Sequence, residues 1–190
     1  LEFRRVLFRS ESFIHPQKPL PMLTGAASPI STHYFQPLIG GDLAALKGMM
    51  KFIVEAEDRA PGTVLDHAFI REHTLGFEAF LQDLRNTSWD DVIKQSGLTR
   101  EQLRDAADVY LNARSVIVCW AMGLTQHKHA VPTIQQIVNL LLLRGNLGRP
   151  GAGACPVRGH SNVQGDRTMG ITELPKPEFL DRLQIGRAHV

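Results

Sequence analysis

Apolar residues recur at helical spacing through the middle of the chain. Over residues 43–59 they fall every three or four positions, a repeat that predicts a helix. Asp42 stands directly before this repeat. We expect it to be the N-cap, because its carboxylate can accept the free N–H groups of the first helical turn. The same spacing over residues 66–85 predicts two short helices that are broken near Gly76.

Two further helices are predicted over residues 88–97 and 98–114. Each opens close to a serine or threonine that has an acidic residue two to three positions later, which is typical of a capped helix start. The pair has helix-turn-helix connectivity, but a DNA-binding face would need basic residues. Acidic side chains occupy one helical face instead, and we expect them to be solvated: Glu101, Asp105 and Asp108. Packing of the pair on a core is therefore the favoured interpretation.

A strand followed by a polar loop and a helix predicts the fold class. The apolar run "SVIVCWAM" (115–122) is typical of a buried parallel strand, and residues 123–129 form its exit loop. Residues 130–148 predict an apolar helix with Pro132 in its first turn and Gly145 at its end. This is half of a crossover unit, so the chain is predicted to be α/β. Ligands are then expected where strands end.

The first part of the chain carries weaker signals. The proline-rich segment 11–30 is expected to run extended over a surface. Residues 31–39, "STHYFQPLI", predict a short strand end, which stops at the pair Gly40 and Gly41. The residues that follow this strand, 40–42, are thus a second place where a ligand is expected.

Composition and charge narrow the function classes. Hydrophobic residues make up 43% of the chain and its formal net charge is +2, so bulk electrostatics give no reason to expect a nucleic-acid partner. The longest apolar run, 137–143, is too short to span a membrane. Two cysteines are too few for a disulfide scaffold or a four-thiolate metal site. A cytoplasmic protein without a membrane partner is therefore expected.

The common catalytic and metal-binding patterns are weak. His127 and His129 have no third ligand at a recognised spacing, so no metal site is predicted. Cys119 is expected to be a small core residue, and no activating base stands beside Cys155. Ser161 follows a histidine, but neighbours in sequence rarely form a nucleophile and base pair. An NAD-binding G-x-G-x-x-G turn after a strand is not found either.

The glycine-rich stretch 145–170 has a different character. Glycines let the backbone approach a ligand closely, and successive free N–H groups form concave anion sites. Arg158 can bind a phosphate in a fork, while Asn162 and Gln164 offer the paired donors and acceptors that suit a heterocycle. These features fit a nucleotide-like ligand. An ordinary long surface connection has the same composition, and the two interpretations stay open.

Longer stretches resemble a known family. "NLLLLRGNLGRPGAGACPVRGHSNVQGDRTMG" is similar to the cofactor-contacting segment of the molybdopterin oxidoreductases, which include formate dehydrogenases, nitrate reductases and dimethyl sulfoxide reductases. "PLIGGDLAALKGMMKFIVE", "DHAFIREHTLGFEAFLQDL" and "TREQLRDAADVYLNARSVIVCWAMGLTQH" follow that family's order and spacing. "PQKPLPMLTGAASPISTHYFQ" and "PVRGHSNVQGDRTMGI" resemble, more narrowly, formate-dehydrogenase-like alpha subunits. The resemblance covers residues 11–184 and implies part of that family's fold, a Rossmann-like layered sheet with helices.

The resemblance also implies a cofactor, bis(molybdopterin guanine dinucleotide) with molybdenum. Gly41 and Asp42 would meet a guanosine end, and Met122, Gly123 and Gln126 would line the dinucleotide near its pterin. The remaining contacts implied are Arg158, Gly159, His160, Asn162, Gln164 and Gly165. Arg158 and His160 would lie nearest the metal and are the catalytic candidates, beside rather than on the reacting centre.

The implied function is two-electron transfer at molybdenum in an intact oxidoreductase, with a small-molecule substrate such as formate and an electron-transfer partner subunit. His160 stands where formate dehydrogenases have Gln, so formate itself is one substrate among several. No molybdenum ligand is assigned, and the cysteines for the family's 4Fe–4S cluster are absent here. The alternative is a cofactor-free structural or binding module that keeps the same fold.

The two ends of the chain differ in their sequence from the rest. Residues 1–10 and 185–190 look like translated adapter DNA, so they are expected to be non-native tails around a partial domain over 11–184. On this hypothesis the piece alone is inactive, because catalysis requires the metal, its ligands and an electron exit held together.

Overall fold

The computed structural model describes residues 31–157, 159, 163–172 and 174–183, together with the short segments 6–7, 12–13, 19–24 and 28–29. It divides into two compact units, Leu1–Val157 and Arg158–Val190. The strands are β1 (Val6–Leu7), β2 (Ser12–Phe13), β3 (Ser28–Pro29), β4 (His33–Tyr34), β5 (Ile117–Trp120) and β6 (Gly153–Pro156). The helices are α1 (Pro19–Thr24), α2 (Asp42–Arg59), α3 (His67–His73), α4 (Phe77–Asn86), α5 (Trp89–Ser96), α6 (Arg100–Asn112), α7 (Met122–Thr125), α8 (Ala130–Leu142), α9 (Val163–Thr168) and α10 (Pro177–Leu183).

Helix α2 is the centre of the first unit. It packs against α4, α5, α6 and α8, so that apolar residues on several of its sides are buried. Met50 and Ile53 are fully buried within it. Gly48 lies where α5 and α6 approach closely, since a Cβ atom there would stand 2.8 Å from Cγ1 of Val92 and 3.0 Å from Cδ1 of Leu103. The helix predicted over 43–59 is confirmed.

The predicted capped starts of α5 and α6 are confirmed, and α3 is capped as well. Asp66 accepts a hydrogen bond from the Phe69 N–H at 3.0 Å and begins α3. Ser88 accepts from the Asp91 N–H to begin α5. Thr99 forms a capping box in which Gln102 supplies the reciprocal side chain. Gly76, with a φ of 75°, separates α3 from α4 as expected, and the acidic face of α6 is exposed.

Two predictions near the start of the chain are wrong. Residues 19–24 form helix α1 rather than an extended segment, and its prolines stand at the first turn, where a missing N–H is tolerated. Asp42 is the first residue of α2 and not its cap, because the N-cap position is Gly41. Residues 31–39 contain the short strand β4, which pairs in parallel with β1, while β2 and β3 pair antiparallel.

Strands β5 and β6 form a parallel pair. The predicted parallel strand is confirmed, but its predicted burial is wrong, since Ile117 is 55% exposed and Cys119 is exposed. Val118 and Trp120 alternate with them and pack on the core. Elements of this chain thus cover one face of the pair. Helix α8 follows as predicted and ends before Gly145, whose φ is 57°.

The described part of the chain is mainly helical with small two-stranded sheets. The wider layered α/β fold stays a prediction. Among the described residues, every helix is too short or too polar to cross a membrane.

Two lysines of α2 differ in burial, and substituting each one measures how much a buried side-chain hydrogen bond contributes to the packing of this helix. Lys51 is buried and its Nζ donates to the carbonyls of Leu84 and Arg85 at 3.2 and 2.8 Å, near the end of α4. Lys47, one turn earlier, pairs with Asp83 at 2.7 Å on a more exposed surface. We expect Lys51→Met to lower the free energy of unfolding by about 1.5 to 3 kcal/mol, because it removes the Lys51 donor from the partly buried Arg85 carbonyl and leaves the Leu84 carbonyl with only the Thr87 N–H, at 3.3 Å.

The control Lys47→Met should cost under about 1 kcal/mol, as is usual for an exposed ion pair. Urea unfolding of both variants measures the difference. Equal losses would contradict the role given to Lys51.

Candidate functional site

The carboxyl ends of β5 and β6 lie side by side. Their register places Trp120 opposite Pro156, and the Val157 N–H donates to the Trp120 carbonyl at 2.6 Å, which extends the ladder by one bond. Because parallel strands run in the same direction, both strands leave the sheet at this one edge. We call it the strand-exit edge: residues 121–126 after β5, and Val157 after β6. Such edges are where ligands bind in open α/β sheets.

Three predicted cofactor residues lie on the strand-exit edge. Met122 and Gly123 are in the short helix α7, and Gln126 is its C-cap, with its N–H donating to the Met122 carbonyl at 3.0 Å. All three are exposed, Met122 to 42%. The Gln126 side-chain amide bonds to none of the described residues, so both its donor and its acceptor groups face solvent.

Gly41 has a structural role within the first unit. It is buried, and a Cβ atom at this position would stand 2.7 Å from the Gln95 carbonyl oxygen and 3.0 Å from Cα of Ser96. Backbone atoms cannot move aside as a flexible side chain can. The close approach of α2 to the end of α5 therefore requires glycine here whether or not a ligand is bound.

Asp42 is different because its side chain is half-buried and unpaired within the described residues. Its carboxylate lies in the first turn of an 18-residue helix, where the free N–H groups favour negative charge. A second anion at this point would be repelled by the carboxylate. Asp42 is suited to accept hydrogen bonds from neutral donors such as ring N–H groups or hydroxyls.

The glycine-rich stretch 145–170 contains a strand and a helix that were not predicted from the sequence. Residues 153–156 form β6, and residues 163–168 form α9, which contains the backbone of Gln164 and Gly165. Gly159 lies in an exposed bend. The predicted contacts Arg158, His160 and Asn162 lie outside the described residues, and those three stay predictions.

Two other sequence expectations are corrected or refined. Cys119 is not a core residue: it is exposed on β5, directly opposite the exposed Cys155 of β6. His127 and His129 lie in the turn between α7 and α8. Among the described residues, no three metal-ligating side chains of the His, Cys, Asp or Glu type come together.

An arginine-lined pocket of about 450 Å³, which was not predicted from the sequence, lies beside residues 62–68. Arg114, Arg144 and Arg149 line it from positions up to 35 residues apart. Arg144 donates to the carbonyls of Tyr110 and Leu111 at 2.8 and 2.9 Å. Arg149 donates to the Arg114 carbonyl at 3.0 Å. Two of the three guanidinium groups thus support the end of α6 and the chain that follows it.

Glu57 holds the other wall of this pocket. Its buried carboxylate accepts hydrogen bonds from the backbone N–H groups of Gly62, Val64 and Leu65, the last two at 3.0 Å, and contacts Nε2 of His67 at 2.7 Å. Burial by itself raises the pKa of Glu57. The bonds from His67 and the three N–H groups outweigh burial and hold the pKa at about 2.

Comparisons with known proteins give partial matches. No protein-family model matches the chain. Protein YdeP of Escherichia coli K12 is 49% identical over 177 residues, which is 91% of this chain and 23% of that protein. A protein of Mycobacterium tuberculosis named an uncharacterized oxidoreductase is 45% identical over 171 residues, or 90% and 22%. One of Staphylococcus aureus named "Putative formate dehydrogenase" is 37% identical over 137 residues, or 72% and 13%.

The chain therefore spans less than a quarter of the length of these relatives. Their similarity to the chain is strong where they overlap, and two of the three names describe oxidoreductases.

The carboxylate of Glu57 should make folding sensitive to acid. Its pKa is about 2 in the folded chain against 4.5 for an ordinary glutamate. Its contribution is therefore complete above about pH 4.5 and is lost as the pH falls towards 2. The difference corresponds to on the order of 3 kcal/mol.

We expect Glu57→Gln to unfold more easily near neutral pH and to lose less stability on acidification than the unchanged chain. Glu72→Gln, which alters a 76% exposed carboxylate of α3, is the control. Urea unfolding between about pH 2 and neutral pH measures the free energy of unfolding of each variant. If that free energy falls with pH as steeply in Glu57→Gln as in the unchanged chain, the role given to Glu57 is refuted.

Proposed function

We propose that this chain is part of a molybdopterin-dependent oxidoreductase, similar to formate dehydrogenase, and that it contacts one side of a bis(molybdopterin guanine dinucleotide) cofactor. The observation that carries the proposal is the strand-exit edge, where Met122, Gly123 and Gln126 lie exposed together. The names of relatives such as the mycobacterial oxidoreductase support an oxidoreductase as the whole protein.

The strand-exit edge has the chemistry that a pterin ring system needs. Met122 offers a polarisable, apolar side chain that can lie against a flat ring. Gly123 has no side chain, so a ligand can approach the backbone closely. Gln126 carries a free amide that can donate to and accept from the polar edge of a heterocycle. The residues present therefore fit the proposed group at this edge.

Asp42 fits the guanosine end of the same cofactor. Its unpaired carboxylate can accept from guanine N–H groups or from ribose hydroxyls. The negative charge disfavours a phosphate at that point, so the pyrophosphate would be bound elsewhere. Gly41 is the least distinctive part of the proposal, because packing against Gln95 and Ser96 already explains the glycine.

The remaining proposed contacts rest on the resemblance of their sequence: Arg158, Gly159, His160, Asn162, Gln164 and Gly165. Arg158 would hold a fixed positive charge near anionic groups of the cofactor or substrate. His160 would carry a proton, since the unperturbed pKa of histidine lies near neutrality. When bound, the molybdenum centre would supply two-electron transfer, and the chain's own role is to bind and orient.

The substrate, the electron acceptor and the iron–sulfur cluster would belong to the intact protein. The substrate would be a small compound, formate or another, and the electrons would pass to a partner subunit. A 4Fe–4S cluster needs four ligands, and the two cysteines of this chain are too few to hold one. Its ligands would come from elsewhere in the whole protein.

The metal and pterin content of the whole protein tests the proposal. The intact protein would be purified from a host that makes the guanine dinucleotide cofactor. We expect about one molybdenum per chain, by elemental analysis, together with pterin fluorescence after oxidation. Protein that folds but carries neither would contradict the proposal and favour a cofactor-free module with the same fold.

A variant at Asp42 tests where the cofactor is held. In the intact protein we expect Asp42→Ala to reduce the molybdenum retained per chain several-fold while changing the free energy of unfolding by less than about 0.5 kcal/mol. The matched control is Asp90→Ala, an exposed aspartate in the first turn of α5, which should retain the metal fully. Arg158→Ala and Gln164→Ala should behave as Asp42→Ala does. Retention equal to that of Asp90→Ala would remove Asp42 from the site.

A further inference from the structure

The register of β5 and β6 brings two cysteines together. Cys119 is the direct partner of Cys155 across the parallel pair, so their side chains emerge on the same face. Neighbouring strands lie about 4.8 Å apart, and disulfides form between Cα atoms about 4.4 to 6.8 Å apart. The backbone spacing is therefore compatible with a covalent bond between the two sulfur atoms.

The surroundings also allow the bond to form. Val118 and Trp120 turn towards the core, which leaves Cys119 on the outer face, and both cysteines are exposed and unbonded. Burial raises the pKa of the Cys119 thiol, and the neighbouring Cys155 raises it further, so exchange at Cys119 is faster at alkaline pH. The register thus places the two cysteines side by side, and their exposure leaves both thiols accessible to a reagent in solution.

We propose that Cys119 and Cys155 are a redox-modification site, which a low-molecular-weight disulfide converts to a disulfide bridge between β5 and β6. One cysteine thiolate attacks a sulfur atom of the reagent and releases one small thiol, which leaves a mixed disulfide on the protein. The second thiolate attacks the protein sulfur and releases the other small thiol. The two cysteines are oxidised by two electrons in total, and the reagent is reduced to two thiols.

The bridge would join the two strands whose ends form the strand-exit edge. It would limit how far the ends of β5 and β6 can separate. This consequence follows from strand pairing alone, so the site does not depend on whether a cofactor binds at that edge.

The chain has two cysteines, so an intramolecular bridge can join only this pair. The 190-residue chain is equilibrated with mixtures of reduced and oxidised glutathione, in buffer and in concentrated urea. Remaining thiols are then alkylated, and the products are weighed by mass spectrometry. The equilibrium constant for the intramolecular bridge is obtained in both solvents.

We expect the constant to be roughly tenfold or more higher in buffer than in urea, because folding holds together two cysteines that flexible chain otherwise separates. The bridged product should be monomeric. The same constant in both solvents would overturn the proposal. So would a native product that carries glutathione on both cysteines or consists of disulfide-linked dimers.

A double variant gives the geometric control. Ile117→Cys combined with Cys119→Ser keeps two thiols and moves one of them two positions along the same face of β5, about 6.6 Å away. Ile117 is 55% exposed, so the change should not disturb the core. The constant in buffer should fall to near its value in urea, because the Cα atoms are then too far apart to bridge. A constant that stays high in this variant would show that register is not the cause.

Discussion

The enclosure of α2 by four other helices is the constraint on which the first unit depends. A largely buried helix must satisfy any charge that it carries into the core. Lys51 does so by donating to carbonyls at the end of α4, and Glu57 by accepting from the N–H groups of the loop before α3. Each charge is thereby also a positional restraint. The two residues fix where the neighbouring elements meet α2.

The position of the strand-exit edge follows from the same core through a polar network. Helix α8 packs on α2, and the buried Tyr110 of α6 donates its hydroxyl hydrogen to the Leu140 carbonyl of α8. Asn146, which is almost fully buried, donates to the Tyr110 oxygen at 3.1 Å and accepts from the Val116 N–H at 3.2 Å. Val116 directly precedes β5. The network therefore connects the helical core to the start of the strand that carries the candidate site.

Sequence reasoning succeeded where the structure is set by local chemistry. The repeat in α2 and the caps at Ser88 and Thr99 act within a few residues, so they can be read from the chain. It also located the exit of β5, because the order of strand, loop and helix is local. It failed on the exposure of Ile117 and Cys119, since burial depends on what covers a sheet and not on the strand's own composition.

The features that sequence reasoning missed are all long-range. The pocket arginines approach residues 62–68 only after the chain has folded. Glu57 accepts hydrogen bonds from backbone N–H groups, which every residue except proline has, so the sequence does not indicate which ones it binds. The pairing of Cys119 with Cys155 depends on the register of two strands. A shift of one position would have placed the two thiols on opposite faces. Composition suggested a loop over 145–170 because glycine marks turns, although β6 and α9 form within it.

We propose above all that the strand-exit edge and Asp42 face a guanine dinucleotide cofactor. The most direct test is an experimental structure of the intact protein purified with its natural ligands. We expect cofactor density against Met122, Gly123 and Gln126, with a guanosine within hydrogen-bonding distance of the Asp42 carboxylate. Protein segments that cover that edge and fill the space beside Asp42, with no nucleotide density touching either, would contradict the proposed cofactor site.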